Sequence, residues 1–257
     1  MILTDQEIER YARQVVMPEI GEAGQKKLLQ SKVLILGAGG LGAPVIAGLA
    51  GAGVGHLTIA DDDVVDLTNL NRQIIHSMNT LGMNKAESAA AFANALNPDI
   101  SLTVFTDRFA PQNGQSLIAG HDLVVDCSDN AQTRYLANDL CRKENIPLVF
   151  AGAIRTDGQI TCFVPEAENS PCLRCIFPQT ELDYDQAPSC STAGVLGATT
   201  LVMGALQTAE VIKLLTKTGT PLIGRLLMYD GLSASFTEIE VDAEPLCPVC
   251  GTGLSRK

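Results

Sequence analysis

The 257-residue sequence has few histidines, no surplus of basic side chains, no low-complexity tract and no long charge-free run. Each shortage removes a class of function. His56, His76 and His121 stand apart from any carboxylate or nucleophile in a recognisable motif, so imidazole acid–base chemistry has no visible players and all three read as structural. Eighteen Lys and Arg against 29 Asp and Glu leave a net charge of -11 and a pI near 4.7. That balance disfavours nucleic acid or an anionic membrane as the main partner. The charge-free stretch Ala193 to Leu206 is too short for a membrane span and runs into Glu210 and Lys213, which predicts a buried core helix instead. The N-terminal MILTDQEIER is acidic rather than basic-then-apolar, so no export signal is expected and a cytoplasmic location follows.

What is present suits one large α/β domain over residues 1–257, since apolar residues make up 46% and no repeat or flexible linker divides the chain. Thr4 and Glu7 have capping-box spacing and open a polar helix towards Arg13 and Met17; Gly21 and Gly24 are expected to break the pattern before a second short helix. KVLIL then runs into GAGGLG and a small-residue helix to Ala52, and HLTIA follows, closing on Asp61, Asp62 and Asp63. This βαβ unit implies a Rossmann-like, mostly parallel sheet with helices on both faces. A helix from Asn84 to Leu96, strands SLTVF and LVVDC, a helix from Ala131 to Glu144 and a strand PLVFAG continue the alternation. Past Gly152 come QITCFV, a loop bearing Pro and Cys, a long helix from Thr192 to Thr216, and the strands LLMYD and SFTEIEV, which extend the same sheet. Residues 1–150 thus read as a nucleotide-binding half.

GAGGLG places Gly37, Gly39, Gly40 and Gly42 between a strand and a helix, where glycines admit phosphate and the helix N-terminus supplies free N–H groups. Asp61 ends the second strand, in position for ribose hydroxyls. Alone, this says adenine nucleotide and does not separate NAD from ATP. Asn69, Arg72, Gln73 and Lys85 follow in TNLNRQ and MNKAE. Cleaving a triphosphate builds charge that such cations offset, although taken alone they also describe a solvated face. Asp129 sits just past the carboxyl end of LVVDC, where one loop carboxylate can serve magnesium, whereas Asp126 reads as structural.

Eight cysteines in an unexported chain point to metal or thiol chemistry. CLRC (Cys172, Cys175) and CPVCG (Cys247, Cys250) make four thiolates that fit a closed structural zinc site, with a redox CxxC the lesser alternative. Cys190, in a polar loop before the long helix, has a helix-start setting that would favour a thiolate, while Cys127, Cys141 and Cys162 fall in core patterns.

GAGGLG, the acids ending in Asp63, TNLNRQ, Lys85, DCSDN at 126–130 and the two CxxC pairs, in that order over nearly the whole chain, resemble the ThiF/MoeB/HesA family, bacterial relatives of the ubiquitin-activating enzymes. TNLNRQ departs slightly from the family's more usual form. The resemblance implies an ATP- and magnesium-dependent adenylyltransferase that forms an acyl-adenylate on the C-terminal glycine of a ubiquitin-like sulfur carrier ending in Gly-Gly, for thiamine or molybdopterin biosynthesis. It implies that Asp61 holds ribose, that Asn69, Arg72 and Lys85 contact phosphates, and that Asp129, with Asn130 nearby, binds magnesium. Residues 151–257 become a zinc and carrier-binding half. Arg13 matches an arginine that reaches a neighbouring subunit's site, implying a homodimer. Cys190 matches the position of a covalent link or thioester in some members, whereas others stop at the adenylate. No sulfurtransferase segment follows Gly251, so a separate sulfur donor is expected. The competing readings are an NAD(P)-dependent oxidoreductase, which leaves the cations and the zinc cysteines without a purpose, and other branches of the superfamily, a tRNA-modifying dehydratase or a peptide adenylase.

Overall fold

Alternate side chains of β1 (Lys32–Leu36) enter two different cores: Val33 and Ile35 join one, Leu34 and Leu36 the other. A strand covered on both faces must be apolar throughout, which is why KVLIL shows no alternation. The structure, a computed structural model, describes residues 2–168, 170–178 and 193–251. Along the chain follow β2 (His56–Ala60), β3 (Ser101–Phe105), β4 (Leu123–Asp126), β5 (Leu148–Ile154), β6 (Asp157–Phe163), β7 (Arg225–Asp230) and β8 (Ser235–Glu240). They form one eight-stranded sheet in the order β3-β2-β1-β4-β5-β6-β7-β8. The pairings from β3 through β5 are parallel and those from β5 through β8 antiparallel. The fold is therefore the expected mixed α/β sheet, mostly parallel, with the second half added to the same sheet.

The helices are α1 (Asp5–Arg10), α2 (Ala12–Val15), α3 (Gly21–Gln30), α4 (Gly42–Ala52), α5 (Lys85–Leu96), α6 (Pro111–Ile118), α7 (Ala131–Glu144), α8 (Leu173–Ile176) and α9 (Gly197–Thr216). One face of the sheet is covered by α4, α5 and α9 through residues such as Ile46, Ala89 and Met203. The other is covered by α6, α7 and α8 through Ile118, Tyr135 and Leu173. The Thr4–Glu7 capping box is formed, but the first helix ends at Tyr11, whose ring is buried. Gly21 and Gly24 do not interrupt the chain: α3 begins at Gly21 and carries Gly24 inside it.

The last helix corrects an expected boundary. It begins at Gly197, because Val195 makes a parallel bridge to Arg155 and Leu196 is extended; Thr192 lies outside the described residues. By length and composition α9 could cross a membrane, with a mean hydropathy of 1.2. Its contacts are those of a core helix. Gln207 is fully buried and donates to the Asp126 carbonyl at 2.8 Å, and Glu210 accepts the Leu222 N–H at 2.9 Å and pairs with Lys213.

Candidate functional site

The strand order reverses at β1, which lies between β2 and β4, and a crevice opens there beyond the carboxyl ends of the strands. A cleft of about 400 Å³ occupies that place. Its walls include Gly37, Gly39, Gly40, Asp61, Asp63, Asn69, Arg72, Gln73, Lys85, Asp129 and Asn130, so the cavity collects most of the residues singled out from sequence.

The glycine loop is shaped by two steric demands. Gly37 has φ +99°, and a Cβ on it would lie 2.9 Å from the Cys127 carbonyl oxygen. A Cβ on Gly42, where α4 begins, would lie 2.0 Å from the Gly37 carbonyl oxygen, so helix and strand can meet only around glycine. Gly39 is different: its nearest neighbour to such a Cβ is Gln73 Nε2 at 3.6 Å, and the space belongs to the cavity. The loop is held from below by His76, whose Nε2 lies 3.0 Å from the Ala38 carbonyl oxygen and whose Nδ1 lies 2.8 Å from Ser88 Oγ. The carbonyl can only accept, which places the ring proton on Nε2. Burial holds this imidazole below its ordinary pKa.

Asp61 receives the Ala38 N–H at 2.7 Å and the Asp63 N–H at 2.9 Å. Burial raises its carboxyl pKa, and the two N–H groups pull against that rise. Lys85, buried to 7% exposure at the start of α5, donates to Asp63 at 2.8 Å. Asn69 accepts the Asp66 N–H at 2.9 Å, which folds the short turn carrying Arg72; Arg72 donates to the Thr68 carbonyl at 3.0 Å and to Asn71. Gln73 is buried and its Oε1 has no partner among the described residues.

On the opposite wall, Asp126 is fully buried and takes the Ser128 N–H and hydroxyl on Oδ1 at 2.9 and 2.6 Å, a structural turn as expected. Burial raises its pKa. Asp129 stands exposed on the next residue, with no hydrogen bond or ion pair to the described residues. Asn130 caps α7 by accepting the Thr133 N–H at 2.9 Å, so its side chain has a structural duty.

Among the described residues, Gly42 and Arg13, both expected at the site, do not line the cavity. Arg13 is exposed on α2, and its neighbour Tyr11 packs on Gly53 and accepts from Asn97 at 2.9 Å, at the amino ends of the strands. Arg13 therefore lies away from this cleft among the described residues of its own chain. Cys190 lies outside the described residues. The cavity also contains charged residues that sequence reasoning missed: Asp107 and Arg108 after β3, and Arg134 on α7. The signal was available, since both segments follow the carboxyl ends of parallel strands.

Away from the cleft, the Sγ atoms of Cys172, Cys175, Cys247 and Cys250 lie within 4.8 Å of one another. A tetrahedral zinc with bonds of about 2.3 Å requires sulfur separations of about 3.8 Å. The observed Cys172–Cys247, Cys175–Cys250 and Cys172–Cys175 separations are 3.6, 3.2 and 4.0 Å, so the donor set fits that ion. The knuckle is docked on α7, where Asn138 accepts the Leu173 N–H at 2.8 Å and Arg174 pairs with Asp139 at 2.8 Å. Cys127, Cys141 and Cys162 are buried, as expected. His56 and His121 do have neighbours: both reach the Thr58 hydroxyl, at 3.3 and 2.8 Å.

The pattern of the ThiF family matches residues 11–249. The chain is 47% identical over 247 residues to the SAMP-activating enzyme E1 of Haloferax volcanii, covering 96% of this chain and 90% of that protein. It is 41% identical over 251 residues to the sulfur carrier protein adenylyltransferase of Thermus thermophilus, covering 96% and 92%. Against the adenylyltransferase and sulfurtransferase MOCS3 of Drosophila sechellia it is 44% identical over 249 residues, 96% of this chain but only 54% of that protein. Among solved structures, Escherichia coli MccB with ATP superposes with a TM-score of 0.78 at 25% identity, over 89% of this chain and 69% of the other.

Proposed function

The chain belongs to the ThiF family, and from that premise we propose that it is an adenylyltransferase that activates the C-terminal carboxylate of a ubiquitin-like sulfur carrier with ATP, for thiamine or molybdopterin biosynthesis. One observation carries the reading: Gly39, Asp61, Arg72, Lys85 and Asp129 line a single cleft at the switch point of the sheet. A dinucleotide needs the glycines and Asp61 but has no use for two cations and an exposed loop carboxylate. A triphosphate cleaved at its α-phosphate uses all of them.

The carrier's terminal carboxylate is ionised at neutral pH, so attack on the α-phosphorus needs no general base. The work left to the protein is alignment and charge neutralisation. In this reading Gly39 lets phosphate approach the backbone, Asp61 accepts from ribose, and Arg72 and Lys85 meet the charge that develops on pyrophosphate. Asp129, exposed on the cavity wall and unpaired among the described residues, has the chemistry to hold magnesium, which would screen phosphate charge there. The four cysteines would hold a structural zinc that fixes the C-terminal tail to α7, so the sequence from 151 onward contributes that anchor and the carrier-facing part of a single adenylation domain spanning 1–257. Arg13 would complete the site of a second copy in a homodimer, and sulfur would come from a separate donor protein. Cys190 is assigned to a step after adenylation, in a cytoplasmic enzyme.

The experiment is carrier-dependent exchange of labelled pyrophosphate into ATP, run with each Gly-Gly-ending carrier of the same genome. Asp129→Ala is expected to abolish exchange and Cys190→Ala to leave it largely intact; loss in the cysteine variant would refute its assignment to a later step. Mixing inactive Arg13→Ala with inactive Asp129→Ala should restore about a quarter of the activity, because a mixed dimer has one intact composite site. Tight binding of NADH with indifference to MgATP would overturn the whole reading.

A further inference from the structure

The charged side chains lining the cleft divide into two groups. Arg72, Lys85 and Arg108, together with four aspartates, come from the segments after β2 and β3, whereas Asp129 and Arg134 come from the segment after β4. In an open α/β sheet the nucleoside goes with the acid at the end of the second strand, which leaves the β4–β5 side to the other reactant. That reactant is an anion here, and on that side it meets Asp129, of like charge. Of the cations of the first wall, Arg72 and Lys85 go to pyrophosphate in the reading above, and Arg108 donates to Gln132 at 3.5 Å.

Arg134 is held as a docking group would be. Its Nε and Nη2 donate to the Ser128 carbonyl at 3.3 and 2.8 Å, and its guanidinium lies over the Phe150 ring, 5.3 Å from the centroid. These contacts fix the plane of the group and leave Nη1 without a hydrogen-bond partner among the described residues. A Cβ on Gly152 would lie 3.4 Å from Nη1 and 3.3 Å from Gln159 Nε2, so glycine lets the β5 backbone pass close beside the guanidinium without crowding it. A planar, pre-oriented donor at the edge of a cavity suits a carboxylate.

We propose that Arg134 receives the C-terminal carboxylate of the carrier; the inference rests on the adenylyltransferase reading above. One carboxylate oxygen attacks the α-phosphorus and forms the new O–P bond. The bond from that phosphorus to the oxygen bridging it to the β-phosphorus breaks, its electron pair leaves with pyrophosphate, and no proton moves. Arg134 binds the other carboxylate oxygen, which becomes the carbonyl oxygen of the acyl-adenylate. It orients the nucleophile without holding back the attacking atom.

The test compares binding of a carrier with a free C-terminal carboxylate and the same carrier ending in a carboxamide. The wild-type protein is expected to favour the acid by about tenfold, as a lost charge-assisted hydrogen bond implies. Arg134→Gln should bind the two within about twofold, and in pyrophosphate exchange should raise KM for the carrier while leaving KM for ATP unchanged. A purely structural role would not erase the preference for acid over amide. Should the Gln variant fail to fold, Arg134→Lys decides, with a reduced but measurable preference expected. An unchanged preference in either variant, or a rise in KM for ATP equal to that for the carrier, overturns the assignment. Absence of exchange by the wild type with every carrier defeats the adenylyltransferase reading itself, a result distinct from wild-type exchange with an indifferent variant.

Discussion

Lys85 and Asp63 form an ion pair of 2.8 Å in which the lysine is buried and the aspartate side chain is 70% exposed. The asymmetry has a consequence for nucleotide binding. A buried ammonium needs a counter-charge at all times, and without a phosphate nearby Asp63 supplies it. When a phosphate arrives, Asp63 can give way, because its carboxylate is already solvated. Asp63→Asn should therefore lower the stability of the nucleotide-free protein by about 1 kcal/mol and enlarge the upward Tm shift produced by MgATP. Lys85→Met should fold and lose most of that shift. Equal shifts in wild type and Asp63→Asn would show that the pair does not compete with phosphate.

The glycine loop permits a sharper separation of folding from binding. Alanine at Gly42 places a methyl group against the Gly37 carbonyl, and backbone cannot move aside cheaply. A loss of about 2 kcal/mol or more is expected, with a clear fall in Tm. Alanine at Gly39 meets nothing closer than Gln73 Nε2 at 3.6 Å. Gly39→Ala should keep its Tm within about 2 °C, since its fold changes little, and should bind ATP poorly because the methyl group fills phosphate space. Thermal melts with and without MgATP distinguish the two, and parallel behaviour of both variants would defeat the assignment of Gly39 to phosphate approach.

Much of this arrangement is legible in the chain, and its gaps have physical causes. KVLIL, HLTIA and SLTVF are recognisable because each is a short run rich in β-branched and aliphatic residues, and Ala131–Glu144 because Asn130 caps it and Asn145 closes it in a left-handed turn. Helix α6 carries no periodic signal, since only Gly114 and Ile118 of its eight residues are buried. In sequence Arg134 is one cation on an amphipathic helix and resembles a solvated face; what draws it inward is Phe150 on β5 and the carbonyl of Ser128. The start of α9 has no local signature, because the bridge that holds Val195 to Arg155 is a contact distant in sequence. The two CxxC pairs were visible as ligands, but their meeting across 75 residues depends on the antiparallel strands that return the tail to α7.

The cysteine knuckle predicts one zinc per chain. Metal analysis of the purified protein should find it, and Cys172→Ser or Cys247→Ser should lose it, whereas Cys190→Ser should keep it. Four thiols packed this closely are a poor arrangement without a cation, since burial pushes Cys172 up to about 12. A strong chelator should therefore loosen the C-terminal tail first, seen as early proteolysis beyond β8, before the rest of the sheet unfolds. Full metal content in Cys247→Ser would refute the four-cysteine site.

The histidines predict how stability depends on pH. Burial lowers the pKa of His76, His121 and His56. His121 sits between the Ile118 carbonyl at 3.2 Å and the Thr58 hydroxyl at 2.8 Å, with His56 and Lys32 as like charges and Asp122 opposing them. Each ring is therefore neutral in the fold at a pH where the unfolded chain has begun to bind protons. Stability is complete above the unfolded value near 6.5 and falls as pH drops below it, because the unfolded state takes up protons that the folded state refuses. The Tm should hold steady from about pH 8 to 7 and decline between about 6.5 and 5.5, with Asp61 and Asp126 opposing the decline, because burial raises their carboxyl pKa and the fold takes up their protons first. His76 holds the Ala38 carbonyl of the glycine loop, so the MgATP-induced Tm shift should shrink over the same interval. A His76→Gln, His121→Gln double variant should flatten the decline, since glutamine can donate and accept but does not titrate. A decline as steep as the wild type's in that variant would locate the pH sensitivity elsewhere.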